Sequence, residues 1–372
     1  FPYTTLFRSI EKANFSALTL MLAQECNMRC SYCYGEGGEY NNKGIMTENV
    51  AFQAIDYLVK NSTDELLHIA FLGGEPLLNF PLLKKVVEYC KQISADTGKK
   101  FSYTITTNGT LITDNIEKYL TENKIVCQIS LDGTKEKNDM NRFFRNKKGS
   151  YDVIVEKTKS MRHMNLVTAR ATVTPDNSDY KEIFNHLNEL EFRAIPIAIA
   201  QNMVDDEQFD KILSEYINYI FYFEELILTK QYAKAKKMTD LVNALEKIEF
   251  GNVRNNGCGA GRTMFAVDID GTLYPCHRFV GERKFALGNI WTGSDNSKFL
   301  KMINVRNRDK CSKCWAQNLC LGCCPHENYT NTNNINLASE RSCRMAKTIY
   351  EKLISVYIKM SDEDKKMMWP ED

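Results

Sequence analysis

This 372-residue chain has no long apolar runs, almost no net charge and no charged-then-apolar opening. Its longest apolar stretches, such as IPIAIA at 195–200, fall far short of the roughly 20 residues a spanning helix needs. No charged-then-apolar segment opens the sequence, so it reads as a cytoplasmic protein with no membrane partner. Lysine and arginine number 48 against 47 acidic residues, a net charge of +1, which leaves no electrostatic footprint for nucleic acid. A disulfide framework is also missing: most of the 13 cysteines bunch at 26–33, 258–276 and 311–343, whereas such frameworks belong to small secreted domains. Clustered cysteine in a large chain points to metal. The opening FPYTTLFRS has no initiator Met and reads as a translated adapter, so residues 1–9 are set aside and the native N-terminus is expected to be missing.

What is present is a hydrophobic content of 43%, enough for one large domain and a smaller one. From residue 16 to about 202, short β-rich runs alternate with amphipathic helical stretches, the pattern of βα units around a parallel sheet. The strand candidates are 17–24, 68–73, 101–107, 126–131, 168–174 and 194–200, which predicts a partial (β/α)6 barrel of TIM type. Residues 206–249 read as helical throughout, within a bridge spanning 203–254. From 255 to 344 the character changes to Gly, Cys and turn residues, with FAVDIDGTLYPC predicted as a hairpin closed by Asp270-Gly271. A last helix, 345–360, opens the tail of 345–372.

Cys26, Cys30 and Cys33 follow directly on the first strand, at the end where parallel barrels place their chemistry. Thiolates suit zinc or iron-sulfur clusters, and a 4Fe-4S cube fully held by protein takes four of them. Three leave one iron open.

The CX3CX2C spacing with aromatic Tyr32 before the last Cys resembles the radical SAM superfamily. The resemblance implies an open iron that chelates S-adenosylmethionine, with Gly73-Gly74-Glu75-Pro76 at the methionine amino group. It further implies ribose contacts from Ser130 and Asp132, and a methionine carboxylate contact from Arg170. The plainer readings are a three-Cys zinc site or buried thiols, a strand-end Ser and an ion-paired Arg. GEGG at 35–38 is not a phosphate cradle, because no GK[ST] follows it.

Cys258, Gly271 and Cys276, then Cys311, Cys314, Cys320 and Cys324 at CX2CX5CX3C, then Cys343, are similar to the SPASM pattern found behind radical SAM barrels in peptide-modifying enzymes. The pattern implies two auxiliary 4Fe-4S clusters, three clusters in all. Cys311, Cys314, Cys320 and Cys343 would hold the outer one; Cys258, Cys276 and Cys324 would hold the inner, with Cys323 a neighbour able to replace Cys324. Alone, Cys311 and Cys314 would read as a zinc half-site. Anaerobic sulfatase maturases, another SPASM group, complete the inner cluster with a further Cys and carry a catalytic Asp after the second SPASM Cys. Here residues 259–265 contain no Cys and His277 follows Cys276. His277 is the candidate catalytic residue, or else a structural imidazole.

CYGEGG and YPCHRFVG resemble thioether-forming maturases of the ranthipeptide group. That implies a Cys-containing precursor peptide as substrate and a flavodoxin- or ferredoxin-type electron donor. The alternatives are formylglycine-forming oxidation, another radical peptide modification, or a non-catalytic metal-binding redox scaffold. Cys90 and Cys127 read as core residues.

Overall fold

A computed structural model describes residues 13–251 and 257–370, and the adapter-like residues 1–9 lie outside the described residues. Its centre is six parallel strands: β1 (Ala17–Gln24), β2 (Leu66–Gly73), β3 (Lys100–Thr107), β4 (Val126–Ser130), β5 (Val167–Val173) and β6 (Ile197–Ile199). Each pairs with the next, and β6 ends the sheet without returning to β1, so the barrel is partial and open. The candidate at 194–200 forms ladder pairs only over Ile197–Ile199, because Pro196 has no N–H to give.

In β2 to β5, alternate side chains behave differently. Ile69, Phe71, Ile105, Cys127, Ile129, Ala169 and Ala171 are buried in the apolar core. The intervening residues, among them His68, Thr104, Thr106, Gln128, Ser130, Thr168 and Arg170, keep some accessible surface and face the barrel lumen. The lumen is therefore polar: His68 lies 3.0 Å from both Ser102 Oγ and Thr104 Oγ1, and Thr106 donates to Gln128.

The outer face is covered by α1 (Glu48–Lys60), α2 (Phe80–Thr97), α3 (Asp114–Glu122), α4 (Lys135–Asn141), α5 (Tyr151–Lys157) and α6 (Tyr180–Glu189). Thr47, Thr113 and Asp179 cap α1, α3 and α6 by accepting from backbone N–H groups, satisfying donors the helix leaves free. The segment read as helical throughout is instead broken: α7 (Asp206–Leu228) stops where Lys230 turns left-handed (φ 62°), and α8 (Thr239–Glu249) begins after an irregular turn.

The C-terminal region joins the barrel sheet, which the sequence did not signal. The expected hairpin, β7 (Met264–Val267) and β8 (Thr272–Tyr274), turns through Gly271 at φ 83°. β7 then pairs in parallel with β1, Leu18 opposite Phe265 and Leu20 opposite Val267. This explains why β1 is buried along both faces and reads as a continuous apolar run. Two short strands, β9 (Gly288–Asn289) and β10 (Gly293–Ser294), extend the edge. Beyond them lie α9 (Pro325–Thr332) and α10 (Glu340–Lys359); α10 starts earlier than expected and includes Cys343. Among the described residues, no helix is long and apolar enough to cross a membrane.

Candidate functional site

Cys26, Cys30 and Cys33 leave the C-terminal end of β1 on a loop gripped by its own backbone. Arg29 donates to the carbonyls of Cys26, Met28 and Gly37, and Arg145 also donates to Cys26. Met28 N–H and the Asn108 amide approach Cys26 Sγ at 3.4 and 3.8 Å. Burial pushes the Cys26 thiol up to about 11 and raises Cys30 as well, so the bare protein would hold both protonated at neutral pH. A cationic metal group supplies the charge that turns such thiols into thiolates.

Gly73 and Gly74 allow the end of β2 to press against this loop. A Cβ on Gly74 would lie 2.3 Å from the Glu25 carbonyl oxygen and 2.6 Å from that of Gly38; one on Gly73 would lie 2.2 Å from the Ala23 oxygen. Gly73 also sits at φ 145°, which favours glycine. Glu75 next to them is fully buried and accepts from Leu77 N–H, Thr107 hydroxyl and Asn108 N–H at 3.0, 2.7 and 2.8 Å. Burial raises its pKa and these donors oppose the rise. Its carboxyl group ties the end of β2 to the end of β3, a larger part than the backbone-shaping one expected for GGEP. Pro76 opens the short turn that follows.

Tyr32 and Asp132 meet. The Tyr32 hydroxyl donates to Asp132 Oδ2 at 2.6 Å, Thr172 N–H donates to Oδ1 at 2.8 Å, and Asp132 is only 1% exposed. With both oxygens engaged and buried, Asp132 braces Tyr32. Arg142, which the sequence reading missed, donates to the Tyr32 hydroxyl at 2.7 Å. Its charge is held despite burial by Cys30, Tyr32 and Asp132, and its Nε is buried without a partner. Arg142 sits in a loop, so no periodicity marked it.

Ser130 and Arg170 are register partners across β4 and β5, both facing the lumen. The charged and phenolic groups that act on Arg170 include Arg278, Tyr34, Asp240 and Glu327. Burial comes first among the causes that pull its pKa down, and Arg278 adds to it. His277 lies with its ring 6.4 Å from that of Tyr34. Burial, followed by Arg278 and Arg170, lowers its pKa to about 3, so its imidazole is neutral at physiological pH. Arg278 stacks over the Tyr34 ring at 5.2 Å and pairs with Glu327 at 3.9 Å. Tyr34, one residue past Cys33, thus reaches the residues that follow Cys276.

The remaining cysteines divide into two sets. Cys258, Cys276 and Cys324 lie within electrostatic reach of one another, and burial pushes Cys276 up to about 12 and Cys324 to about 11. Cys311, Cys314, Cys320 and Cys343 form the other set. Cys323 joins the second set, its Sγ 3.5 Å from that of Cys320. It cannot stand in for Cys324 as expected, because Leu321, Gly322 and Cys323 all take positive φ and turn neighbouring thiols to opposite sides. Arg308, also missed, is buried against this set. It donates from Nη1 to the Gly322 carbonyl and from Nη2 to that of Ile303, leaving Nε buried and unpartnered.

These sets fit the implied cofactors. Buried cationic donors beside thiols, Arg142 Nε and Arg308 Nε, suit negatively charged iron-sulfur clusters.

Comparison with known proteins agrees. The radical SAM superfamily profile matches residues 21–190, and that of the SPASM iron-sulfur cluster-binding domain matches 258–315. A cysteine-type anaerobic sulfatase-maturating enzyme of Clostridium novyi is 26% identical over 373 residues, covering 92% of this chain and 96% of the relative. The structure of anSMEcpe with bound AdoMet and Cp18Cys peptide superposes with a TM-score of 0.76 at 22% identity, covering 93% of this chain and 100% of that one. Streptococcus suis SuiB bound to precursor peptide SuiA gives 0.57 at 16% identity, covering 89% and 76%. The chain belongs to the radical SAM superfamily, an enzyme with a C-terminal SPASM domain that uses S-adenosylmethionine and iron-sulfur clusters.

Proposed function

We propose that this enzyme modifies a cysteine-containing peptide, joining the cysteine sulfur to a carbon of the same peptide as a thioether. The observation that carries the reading is the inner cysteine set. Cys258, Cys276 and Cys324 are one thiolate short of the four a cube takes, and Cys323, the nearest thiol in sequence, faces the other set. A cysteine of the substrate is the donor that completes the inner set.

Cys26, Cys30 and Cys33 would hold the first of three 4Fe-4S clusters, with Gly73, Gly74, Pro76 and Ser130 around S-adenosylmethionine. Bound there and reduced by a flavodoxin- or ferredoxin-type donor, this pair of groups supplies a 5'-deoxyadenosyl radical that takes a hydrogen atom from the substrate. The chain's own residues do the positioning. Glu75 fixes the strand ends behind the glycines, and Arg142 offsets charge at Cys30. Tyr34, one residue past Cys33, and His277, next to Cys276, lie with their rings 6.4 Å apart, and His277 stands there as a neutral imidazole. Forming the C–S bond breaks one C–H and one S–H bond: the hydrogen atom would go to the 5'-deoxyadenosyl radical, the proton to solvent, and the remaining electron to the cluster that Cys258, Cys276 and Cys324 would hold.

The resemblance to sulfatase-maturating enzymes favours a second reading, oxidation of a peptide cysteine to formylglycine. Mass spectrometry of peptide treated with the anaerobically reconstituted enzyme separates the two. A product that keeps its sulfur, loses two hydrogens and resists thiol alkylation supports the thioether; a sulfur-free product that reacts with hydrazide supports the aldehyde. Zinc in place of iron, with no 5'-deoxyadenosine formed, would remove both.

A further inference from the structure

We propose that Arg170 is a specificity residue that binds a carboxylate of the peptide substrate inside the barrel lumen. The inference rests on the peptide-modifying reading and deepens it by naming the substrate's chemistry.

Arg170 stands on the lumen face of β5 between Thr168 and Thr172, in a wall of hydroxyl and amide side chains. Its guanidinium makes no hydrogen bond or ion pair with any described residue, although it stands on the lumen face of the next-to-last strand and keeps only part of its surface accessible. Five N–H donors are left without a protein partner. Its surroundings do not balance it. The nearby Glu327 is already paired with Arg278, a second cation that reinforces the positive field. Asp240 accepts from the Tyr216 hydroxyl at 3.2 Å, and burial pushes its carboxyl group up to about 7, so at neutral pH it carries only part of a charge. With the whole chain near neutrality, this positive field is local. A carboxylate fits it: planar, anionic and able to take two parallel N–H bonds from one guanidinium.

Three sources could bring a carboxylate here: an acidic side chain of the peptide, its C-terminus, or the methionine end of S-adenosylmethionine. The proposed source is the peptide; because Arg170 stands opposite Ser130 across β4 and β5, the S-adenosylmethionine affinity of Arg170→Gln is the arm that tests the last.

The test uses the full chain, reconstituted and loaded with S-adenosylmethionine, and three fluorescent cysteine-containing peptides that differ at one position and at the C-terminus. One carries Glu and a C-terminal amide, one Gln and the amide, and one Gln with a free terminal carboxylate. Formation of 5'-deoxyadenosine by the wild-type protein is checked first; its absence defeats the underlying enzymatic reading, whereas its presence leaves Arg170 alone on trial. Fluorescence anisotropy should show at least one carboxylate-bearing peptide binding about tenfold tighter than the neutral one, and which one identifies the source. Arg170→Gln should shrink that preference to within about twofold while S-adenosylmethionine affinity holds, and Arg170→Lys should restore only part of it. Equal binding of the three peptides, or no binding of any, overturns the proposal. So does a loss of S-adenosylmethionine affinity in Arg170→Gln with the peptide preference intact.

Discussion

The first cysteine group and the auxiliary ones are built in opposite ways. Cys26, Cys30 and Cys33 share one loop, locked by Arg29, Arg145 and the close approach of Gly38 and Gly74. The auxiliary cysteines come from a hairpin, several short helical turns and the start of α10. They are sorted by a run of three left-handed residues at Leu321, Gly322 and Cys323. A local loop can be preformed before any metal arrives. A dispersed site depends on the tertiary structure, here anchored where β7 pairs with β1. The contrast implies that the first site can be lost without the second, and the second without the first.

The sharpest way to break that comparison is Cys276→Ala. It should abolish peptide modification while leaving S-adenosylmethionine cleavage, measured without peptide, within about threefold of wild type, because Cys276 belongs to the inner set and not to the loop of Cys26, Cys30 and Cys33. In the same series, Cys323→Ser should alter only the outer set's electron paramagnetic resonance signal. If cleavage collapses in Cys276→Ala, the two regions are coupled and the comparison fails.

Packing gives the next effect in size. Gly74→Ala forces a methyl group against two carbonyl oxygens and should destabilise the protein by about 3 kcal/mol in chemical denaturation. Gly257→Ala beside Cys258, whose nearest neighbour is a Leu321 side-chain atom at 3.3 Å, should cost under about 1 kcal/mol. Equal costs would mean that the first loop is no more tightly packed than the second.

Glu75→Ala leaves three buried donors without an acceptor and should cost about 2 kcal/mol or more, with Glu75→Gln recovering part. Thermal unfolding of both variants checks this, and an unchanged alanine variant would return Glu75 to a passive role.

A control lies outside both cysteine regions. Asp364 is buried; burial alone would raise its pKa, but bonds from Lys230, Ser361 and Tyr232 pull it below the usual carboxylate value. Its contribution is therefore present above the unfolded value of about 3.9 and is lost as pH falls toward the lower folded value. Asp364→Asn should cost about 2 kcal/mol at pH 7 and almost nothing well below pH 3. A cost that does not shrink with acid would contradict the pairing.

The two regions also differ in how legible they were. β1, the three cysteines and GGEP could be read because strand, turn and ligands are contiguous, so spacing alone encodes the geometry. The same holds for the Asp270-Gly271 turn. What escaped depends on distant partners. The pairing of β7 with β1, the roles of Arg142 and Arg308, and the lumen position of Arg170 are set by which strands meet. Cys323 and Cys324 are adjacent in sequence, yet backbone dihedrals that no residue type at 321 or 323 advertises send them to different sets. The motif at Asp132 marks the end of β4, but its bonds to Tyr32 and Thr172 come from segments distant in sequence and could not be read from it.

The most direct measurement is the yield of 5'-deoxyadenosine from anaerobically reconstituted wild-type protein and Cys30→Ala, given S-adenosylmethionine and a strong reductant. The account predicts that the wild type makes it, and that the variant makes none while keeping the iron of its auxiliary sets. Normal yield from Cys30→Ala, or none from an iron-replete wild type, would contradict the claim that Cys26, Cys30 and Cys33 assemble the radical-generating site.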